Sequence, residues 1–408
     1  IMYDVPHLRF PEFSGEWEKC KVSDLLDFYS TNSLSWEQLE YDTNTMMNLH
    51  YGLIHVGLPT MVDLSKDKLP NIKEDNIPKN FELCKEGDVA FADASEDTNE
   101  VAKTIEFYNL AEKNVVCGLH TIHGRDNKHK TIVGFKGYAF SSTAFHNQIR
   151  RIAQGTKIYS ISTKNFSECH IGLPSKPEQT KIATLLRLID ERIATQNKII
   201  EKQQSLIKGI VDNLMTALLK GELYPFSSFY IKAGEGGTPT TSVDEYYSEG
   251  TIPFIKIDDL SCKYLTSNKE FITELGMQKS SAWLIPSQSV IYSNGATIGA
   301  ISINEYPVCT KQGILGIVPN TNVNVEYLFL LMSSSFFSKE VNRIITEGTM
   351  KTAYLKDINH IKCPLPSMAQ QKSITNLTSS IEEKLYTEKK LLKFLNLQKQ
   401  HLLRTMFI

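Results

Sequence analysis

Long apolar runs are missing from this chain of 408 residues. The most apolar stretches, such as Tyr327 to Met332, are far shorter than the roughly 20 residues that a helix needs to cross a membrane. The first ten residues also lack the basic and then apolar order of a signal peptide. The sequence therefore predicts a cytoplasmic protein with no membrane partner.

Closely spaced cysteines and an excess of positive charge are missing as well. The seven cysteines are scattered and never form C-x-x-C, which argues against a disulfide framework and fits a reducing compartment. The formal net charge is −2, so the chain as a whole has no field that attracts nucleic acid. Any contact with DNA phosphates must come from local basic patches.

Motifs of catalysis are absent too. The chain has neither the phosphate-binding pattern G-x-x-x-x-G-K-[ST] nor the zinc-protease pattern H-E-x-x-H. The glycine-rich run from Gly234 to Gly237 is not followed by a helical pattern, as a dinucleotide site requires. Glu388 and Lys390 have the Glu-x-Lys spacing of part of a nuclease motif, but they fall on a predicted solvated helix face. We therefore expect no catalytic residues, which disfavours a stand-alone enzyme.

The chain does contain a long internal repeat. Leu173 to Met215 aligns without a gap with Leu365 to Phe407, at an offset of 192 residues. Both copies begin with Leu-Pro-Ser, and Gln179 is matched by Gln371. Ser175 with Glu178, and Ser367 with Gln370, have the spacing of a capping box, which predicts that a helix begins at the same place in each copy.

Each copy continues with the apolar spacing of a coiled coil. The pattern alternates steps of three and four residues, with polar residues at Gln196, Gln203, Thr378, Glu388 and Lys399. The predicted helix-pairing residues are Leu186, Ile189, Ile193, Ile200, Ile207, Ile210 and Leu214 in the first copy, and Ile381, Leu385, Leu392, Leu395, Leu402 and Met406 in the second.

At about 1.5 Å per residue, each helix would be about 60 Å long. Two such helices that pair antiparallel would place one globular head at each end, with a pseudo-two-fold internal repeat. The predicted fold class is α+β, with two α/β heads at residues 1–172 and 221–364 separated by two long antiparallel coiled-coil helices at 173–220 and 365–408. A generic dimerisation coiled coil is the alternative for either helix considered alone.

The two heads share their C-terminal parts. Tyr138 to Ile152 and Tyr327 to Ile345 both have helical patterns, and Gly155-Thr156 is matched by Gly348-Thr349. Short apolar pieces predict strands and loops before these helices, including Gly52 to Val56 and Thr131 to Phe135. The middles of the heads do not align, which is where two heads with different targets would differ.

In these features the sequence resembles the specificity subunits of type I restriction-modification systems over essentially its whole length. The resemblance is carried by the Leu-Arg-Phe-Pro-x-Phe opening with Trp17, by Gly-Gly-Thr-Pro at Gly236 and the stretch from Ile252 to Ile255, by the two Gly-Thr segments, and by the two Leu-Pro-Ser helix starts. The first head has no Gly-Gly-Thr-Pro.

The resemblance implies a non-catalytic DNA-recognition subunit. Each head would read one half of a bipartite site on double-stranded DNA, and the paired helices would set the gap and dock two modification subunits and the restriction or motor subunits. S-adenosylmethionine, ATP and magnesium would bind those partners, and the chain lacks the Asn-Pro-Pro-Tyr/Phe motif of the modification subunit. The alternative is a coiled-coil scaffold that tethers two protein ligands.

Basic, amide and hydroxyl side chains in each head are the candidates for DNA contact, because such groups bind phosphates and base edges. In the first head they are Arg125, Lys128 and Lys130, in a run that resembles a hairpin tip, with Arg150, Arg151 and Lys157. In the second head they are Lys256, Asn294, Thr297, Lys311, Gln312, Arg343, Lys351 and Tyr354. Solvated charges are the alternative for each lysine, and Arg150, Arg151 and Arg343 suit a helix end equally well.

Cys117, His120, His123 and His129 are close in sequence, and thiolates and imidazoles are zinc ligands. Their spacing matches no standard zinc finger. We expect a strand that leads into a polar loop, with histidines facing DNA or solvent, and no metal site.

Overall fold

The computed structural model describes residues 5–345 and 351–408, and the chain separates into two compact units. The first unit comprises Ile1–Asn197 with Lys390–Ile408, and the second comprises Lys198–Lys389. Each unit thus contains one head, the beginning of one long helix and the end of the other. The Gly348-Thr349 motif of the sequence repeat lies outside the described residues.

The first unit is built on two sheets. Its strands are β1 (Glu18–Lys21), β2 (Asp27–Tyr29), β3 (Leu39–Glu40), β4 (Met47–Leu49), β5 (Met61–Asp63), β6 (Asn71–Ile72), β7 (Val89–Ala92), β8 (Ala94–Ser95), β9 (Thr104–Asn109), β10 (Val115–Cys117), β11 (Thr121–Arg125), β12 (Tyr159–Ser160) and β13 (His170–Leu173). One sheet has the order β2-β11-β7-β9-β5 and the other β10-β4-β6-β3, while β1 pairs with β13 and β8 with β12.

Five short helices accompany these sheets, followed by a long one. They are α1 (Val22–Leu25), α2 (Tyr51–His55), α3 (Lys136–Phe140), α4 (Thr143–Ile152), α5 (Thr163–Ser167) and the long α6 (Lys176–Leu218). Phe91, Phe140, Phe145 and Phe166 form an aromatic cluster in the core, with ring centroids 4.6 to 6.3 Å apart. This core fixes α3, α4 and α5 against the five-stranded sheet.

The second unit contains β14 (Leu223–Pro225), β15 (Tyr230–Glu235), β16 (Ile252–Ile255), β17 (Tyr264–Leu265), β18 (Glu270–Ile272), β19 (Val290–Ser293), β20 (Ile301–Asn304), β21 (Cys309–Thr310), β22 (Ile314–Pro319) and β23 (Lys362–Pro364). Its helices are α7 (Glu274–Gln278), α8 (Val325–Ser333), α9 (Ser335–Ile344), α10 (Leu355–Ile358) and the long α11 (Met368–Thr405). The sheets have the orders β15-β22-β19-β20-β17 and β18-β16-β21, and β14 pairs with β23.

The heads have the same sheet topology although their middles do not align in sequence. In both five-stranded sheets the first four strands are antiparallel neighbours and the last strand joins in parallel, as β5 joins β9 and β17 joins β20. In both smaller sheets one parallel pair, β4 with β10 or β16 with β21, is flanked by an antiparallel strand. The internal repeat therefore extends through the whole head.

The long helices run antiparallel where the first unit contains both. Gly172, just before α6, lies beside Ile408, while Asp190, further along α6, pairs with Lys399 at 2.6 Å. In the second unit Val211 and Met215 of α6 share a core with Ile374 of α11. The predicted helix-pairing residues are all buried or half-buried. The predicted α+β fold with long antiparallel helices and an internal repeat is confirmed, and the contact of each pairing residue stays a prediction.

The two helix starts differ in their capping. Ser367 and Gln370 form the predicted capping box, with Ser367 N–H donating to Gln370 Oε1 at 3.0 Å and Gln370 N–H donating to Ser367 Oγ at 3.4 Å. In the first copy the buried Glu178 carboxylate instead accepts two hydrogen bonds from Arg9, at 2.7 and 2.8 Å. The Leu-Arg-Phe-Pro opening thereby anchors to the start of α6.

Three other local predictions are wrong. Each predicted helix of the heads is two helices, because Ser142 and Ser334 accept a hydrogen bond from the N–H three residues later and start a new helix. Gly52 to Val56 lies mostly in helix α2, and Thr131 to Phe135 forms no strand.

Within the described residues no helix has the length and apolar character to cross a membrane.

Candidate nucleic-acid interface

Several loops of the second unit meet at one end of its five-stranded sheet. Asn294, just after β19, donates its backbone N–H to the carbonyl of Gly313, just before β22, at 3.0 Å. Ala353 donates its N–H to the Asn294 carbonyl at 2.8 Å, and Asn294 Nδ2 donates to the Ala353 carbonyl at 3.1 Å. These bonds gather the β19–β20 loop, the β21–β22 turn and residues 351–354 into one surface, which we call the loop end.

Exposed polar side chains surround the loop end of the second unit. The predicted DNA contacts exposed there are Thr297, Lys311, Gln312, Lys351 and Tyr354. Lys256 lies beside the same turn, because Lys311 N–H donates to the carbonyl of Ile255 at 3.0 Å, and the Lys256 ammonium pairs with Glu270. Ammonium, amide and hydroxyl groups at one surface are suited to bind phosphates and base edges.

Two other predictions for this head need revision. Asn294 is 0% exposed and its amide holds Ala353 in place, so the structure does not present this side chain for direct contact. Arg343 is exposed on α9 but pairs with Glu340 one turn earlier. Its DNA contact stays a prediction, and the structure does not link it to the loop end.

The structure does not present Arg125 for the DNA contact that the sequence predicted. Arg125 is 7% exposed at the end of β11, and its guanidinium donates to Asp88 Oδ1 and Oδ2 at 2.8 Å each and to Glu82 Oε1 at 2.6 Å. Burial opposes its charge, but the hydrogen bonds that the guanidinium donates to these two carboxylates outweigh burial and raise the pKa of Arg125. It is a buried structural cation.

The run after Arg125 is not a hairpin tip. It is a loop that leads to α3, ordered by Asp126, which accepts hydrogen bonds from the backbone N–H of Lys128 and Thr131 at 3.1 and 2.8 Å. Lys128 donates to the carbonyl of Asp24 at 2.8 Å. Lys130 bonds Glu18 at 2.7 Å, and this bond raises the pKa of Lys130. Both lysines therefore already have protein partners.

The first unit has its own loop end, at the opposite end of β11 from these residues. Asp93, just after β7, donates its N–H to the carbonyl of His120 at 3.1 Å, and Ile161 donates to the Asp93 carbonyl at 2.9 Å. These bonds repeat those of the second unit, and His120 has φ 54° where its counterpart Gly313 has φ 84°. The predicted contacts Arg125, Lys128 and Lys130 of the first head therefore lie at the opposite end of the strand equivalent to β22.

Aromatic and histidine side chains line this first loop end, and sequence analysis gave them little weight. His120 packs edge-on against Tyr51 with ring centroids 5.3 Å apart, and Tyr51 contacts His50. The ring of His50 is tilted against that of Trp36, with centroids 4.4 Å apart. Burial, with the nearby His120, lowers the pKa of His50. Trp36 is exposed, and no periodic signal marks it, because the cluster is assembled from three separate segments of the chain.

The remaining candidates of the first head lie on or after α4. Arg150 and Arg151 are exposed in the last turn of α4, where cations also stabilise the helix dipole, and Arg150 donates to Asn147 at 2.9 Å. Lys157 is exposed in the loop closed by the mutual hydrogen bonds of Gln154 and Ser160. Ser160 pairs with Ala94, which follows Asp93 in the chain. The loop that carries Lys157 is therefore next to the first loop end.

The four residues of the Cys117 to His129 run are not brought together as a group. His120 lies 3.1 Å from Asp93, and His129 is exposed in the loop after β11. Only Cys117 and His123 come close to each other, and they are joined by Cys84 from a distant part of the chain.

A family model described as the type I restriction modification DNA specificity domain matches residues 118–203 and 230–397. The chain is 22% identical over 398 residues to the putative type I restriction enzyme MjaX specificity subunit of Methanocaldococcus jannaschii, covering 93% of this chain and 90% of that protein. It is 28% identical over 158 residues to the MjaIX specificity subunit of the same organism, but this match spans only 36% of that protein.

Solved structures show the same fold. The S subunit of a type I restriction-modification system from M. genitalium matches with a TM-score of 0.55 and 18% identity, covering 99% of both chains. A chain from a structural study of complex assembly and conformational transition of the type I restriction-modification system matches with a TM-score of 0.50 and 15% identity, covering 95% of this chain and 96% of that one. With a family model that covers more than half of its residues, the chain belongs to the type I restriction-modification DNA specificity family.

Proposed function

We propose that the two heads of this specificity subunit each read one half of a bipartite DNA site through their loop ends. The observation that carries the proposal is the shared topology: the loop ends occupy equivalent positions in both sheets and are built on equivalent hydrogen bonds, yet present different side chains. A conserved scaffold with different reading surfaces suits two different half-sites. Under this proposal we assign the recognition segments to residues 1–172 and 221–364, and the spacer helices to residues 173–220 and 365–408.

The partners of a type I specificity subunit are DNA and the other subunits of the system. Because members of this family are non-catalytic DNA-recognition subunits, catalysis is assigned to those other subunits. We assign S-adenosylmethionine, ATP and magnesium to them, with two modification subunits and the restriction or motor subunits docked on the long helices. The complex would work in the cytoplasm, where its DNA target is.

Selection from random-sequence DNA tests this function. The full chain, assembled with its cognate modification subunits, is expected to enrich a two-part motif with an invariant gap. A single contiguous motif would contradict two separate readers, and retention of no DNA would favour a scaffold that tethers proteins.

Two changes to the chain separate the readers from the spacer. Exchange of residues 243–312 for the same segment of another specificity subunit is expected to alter one half-site only. Insertion of two heptads after Gln203, with a matching insertion after Leu395, is expected to lengthen the gap and leave both half-sites unchanged. A changed half-site after the helix insertion would contradict the spacer role.

A further inference from the structure

Two thiols and an imidazole meet inside the first unit. Cys84, Cys117 and His123 are 6%, 1% and 0% exposed, and their ligand atoms all lie within 4.8 Å of one another. The sulfur atoms of the two cysteines are 3.6 Å apart. We propose that these three side chains bind one zinc ion, a site that the sequence did not predict.

The sulfur separation suits a shared metal. Zinc binds thiolate sulfur at about 2.3 Å, so two thiolates at a tetrahedral angle on one ion lie about 3.8 Å apart. A disulfide requires about 2.05 Å, and both cysteines are free thiols. Zinc is borderline-soft and takes this mixture of sulfur and nitrogen ligands readily, whereas magnesium and calcium take oxygen ligands.

His123 has the environment of a metal ligand. Its Nε2 is 2.7 Å from Asp88 Oδ2, while its Nδ1 is buried without a hydrogen-bond partner. A neutral imidazole that donates Nε2–H to a carboxylate has its lone pair on Nδ1, and a carboxylate behind the ligand is the usual support for zinc-bound histidine. Two thiolates neutralise the ion, and Arg125 neutralises Asp88.

The ion would cross-link three elements of the first unit that are far apart along the chain or lie in different sheets. Cys117 ends β10 in the smaller sheet and His123 lies in β11 of the five-stranded sheet. Cys84 precedes β7 and donates its backbone N–H to the carbonyl of Val115 at 2.8 Å. Binding would displace a proton from each thiol and fix the two sheets against each other.

The second unit provides an internal comparison. Ile285 donates its N–H to the carbonyl of Val308 at 2.8 Å, as Cys84 does to Val115, and the strand registers match Cys117 with Thr310 and His123 with Gly316. There Ile285 packs directly over Gly316, where an added Cβ would lie 2.3 Å from Ile285 Cδ1. The fold fills this place with hydrocarbon in one head, so the thiols and imidazole of the other are not required by the topology.

Metal analysis of the full chain, purified without chelator, tests the proposal. We expect about one zinc per chain, and after exchange to cobalt a sulfur-to-cobalt charge-transfer band. The double variant Cys84→Ser with Cys117→Ser is expected to lose at least nine-tenths of the zinc, and the matched control Cys309→Ser, a buried cysteine of the second unit, is expected to keep it. Addition of a strong chelator should lower the Tm of the wild-type chain but not that of the double variant.

Absence of stoichiometric metal after purification and after refolding with zinc would overturn the site, as would unchanged zinc in a folded double variant. A Cys84–Cys117 disulfide found by mass spectrometry of the freshly purified chain would also overturn it. If the double variant does not fold, the cobalt spectrum of the wild-type chain decides alone. Absence of the sulfur-to-cobalt band from that spectrum would then contradict the proposal.

Discussion

Gln179 and Gln371, 192 positions apart in the sequence, make the same three hydrogen bonds in their own units. Gln179 Nε2 donates to the carbonyls of Pro174 and Lys130 at 3.0 and 3.1 Å, and its Oε1 accepts from Ile132 N–H at 3.0 Å. Gln371 Nε2 donates to two carbonyls at 2.8 and 2.9 Å, and its Oε1 accepts from a backbone N–H at 2.7 Å. Each glutamine ties the start of a long helix to its head.

Removal of this amide should destabilise the chain. Gln371 is 0% exposed, so Gln371→Ala leaves three backbone groups without their partner, at a cost of about 1–3 kcal/mol in the free energy of unfolding. Urea unfolding of the full chain measures the change, and Gln400→Ala, at an exposed position of α11, is the control. Equal midpoints for both variants would contradict the tie between helix and head.

Lys311 and Gln312 should govern the half-site read by the second head. Lys311→Ala is expected to weaken binding of the assembled complex to all sequences. The slope of log K against the logarithm of the salt concentration should fall in magnitude by about one, the contribution of one phosphate contact. Gln312→Ala, if its amide reads a base, is expected to cost about 1–3 kcal/mol and to relax one position of the motif.

Binding titrations at several salt concentrations and a repeat of the selection measure these effects. Lys339→Ala removes one exposed positive charge from α9 and serves as the control. An effect of Lys339→Ala as large as that of Lys311→Ala would show that general charge, and not the loop end, is responsible.

The first head should read DNA at its His120 end and not at its Lys128 end. His120→Ala is expected to relax only the half-site of the first head, because His120 occupies the position equivalent to the turn with Lys311 and Gln312. Lys128→Ala is expected to leave the motif unchanged, since its ammonium donates to the Asp24 carbonyl. The reverse pattern in the selected motifs would place the reading surface at the other end of β11.

His146 should make the first unit sensitive to acid. Burial, together with the charge of Arg150, lowers the pKa of His146, and its Nδ1 is buried without a partner. The unfolded chain takes up a proton near the ordinary histidine pKa of about 6.5 and the folded chain does so only at lower pH, so the stability present above that pH is lost as the pH falls. His146→Gln should therefore lose less Tm than wild type between about pH 7.5 and about pH 5.5.

Differential scanning fluorimetry across that range gives the comparison. His360→Gln, at an exposed position, should leave the slope of Tm against pH as in the wild-type chain. An unchanged slope in His146→Gln would mean that other groups carry the acid response.

Prediction from sequence succeeded where local rules act. The helices α6 and α11 and the cap at Ser367 follow from local spacing of apolar and capping residues along the chain. The burial of Arg125 could not be predicted because its partners Asp88 and Glu82 lie 37 and 43 positions away, and a basic residue in a polar run has the same local sequence whether solvated or buried. The burial of Asn294 was missed for the same reason, since Ala353 is 59 positions away.

The sequence by itself determined the repeat, the two long helices and the family, because matching residue spacing and apolar periodicity can be detected along the linear chain. Only the tertiary structure decided that the unaligned middles share one topology, that the two loop ends lie at the same end of equivalent strands, and that Cys84 comes close to Cys117 and His123. The reason is physical: strand pairing is made by backbone hydrogen bonds, which many side chains permit, so its partners cannot be read from residue types along the chain.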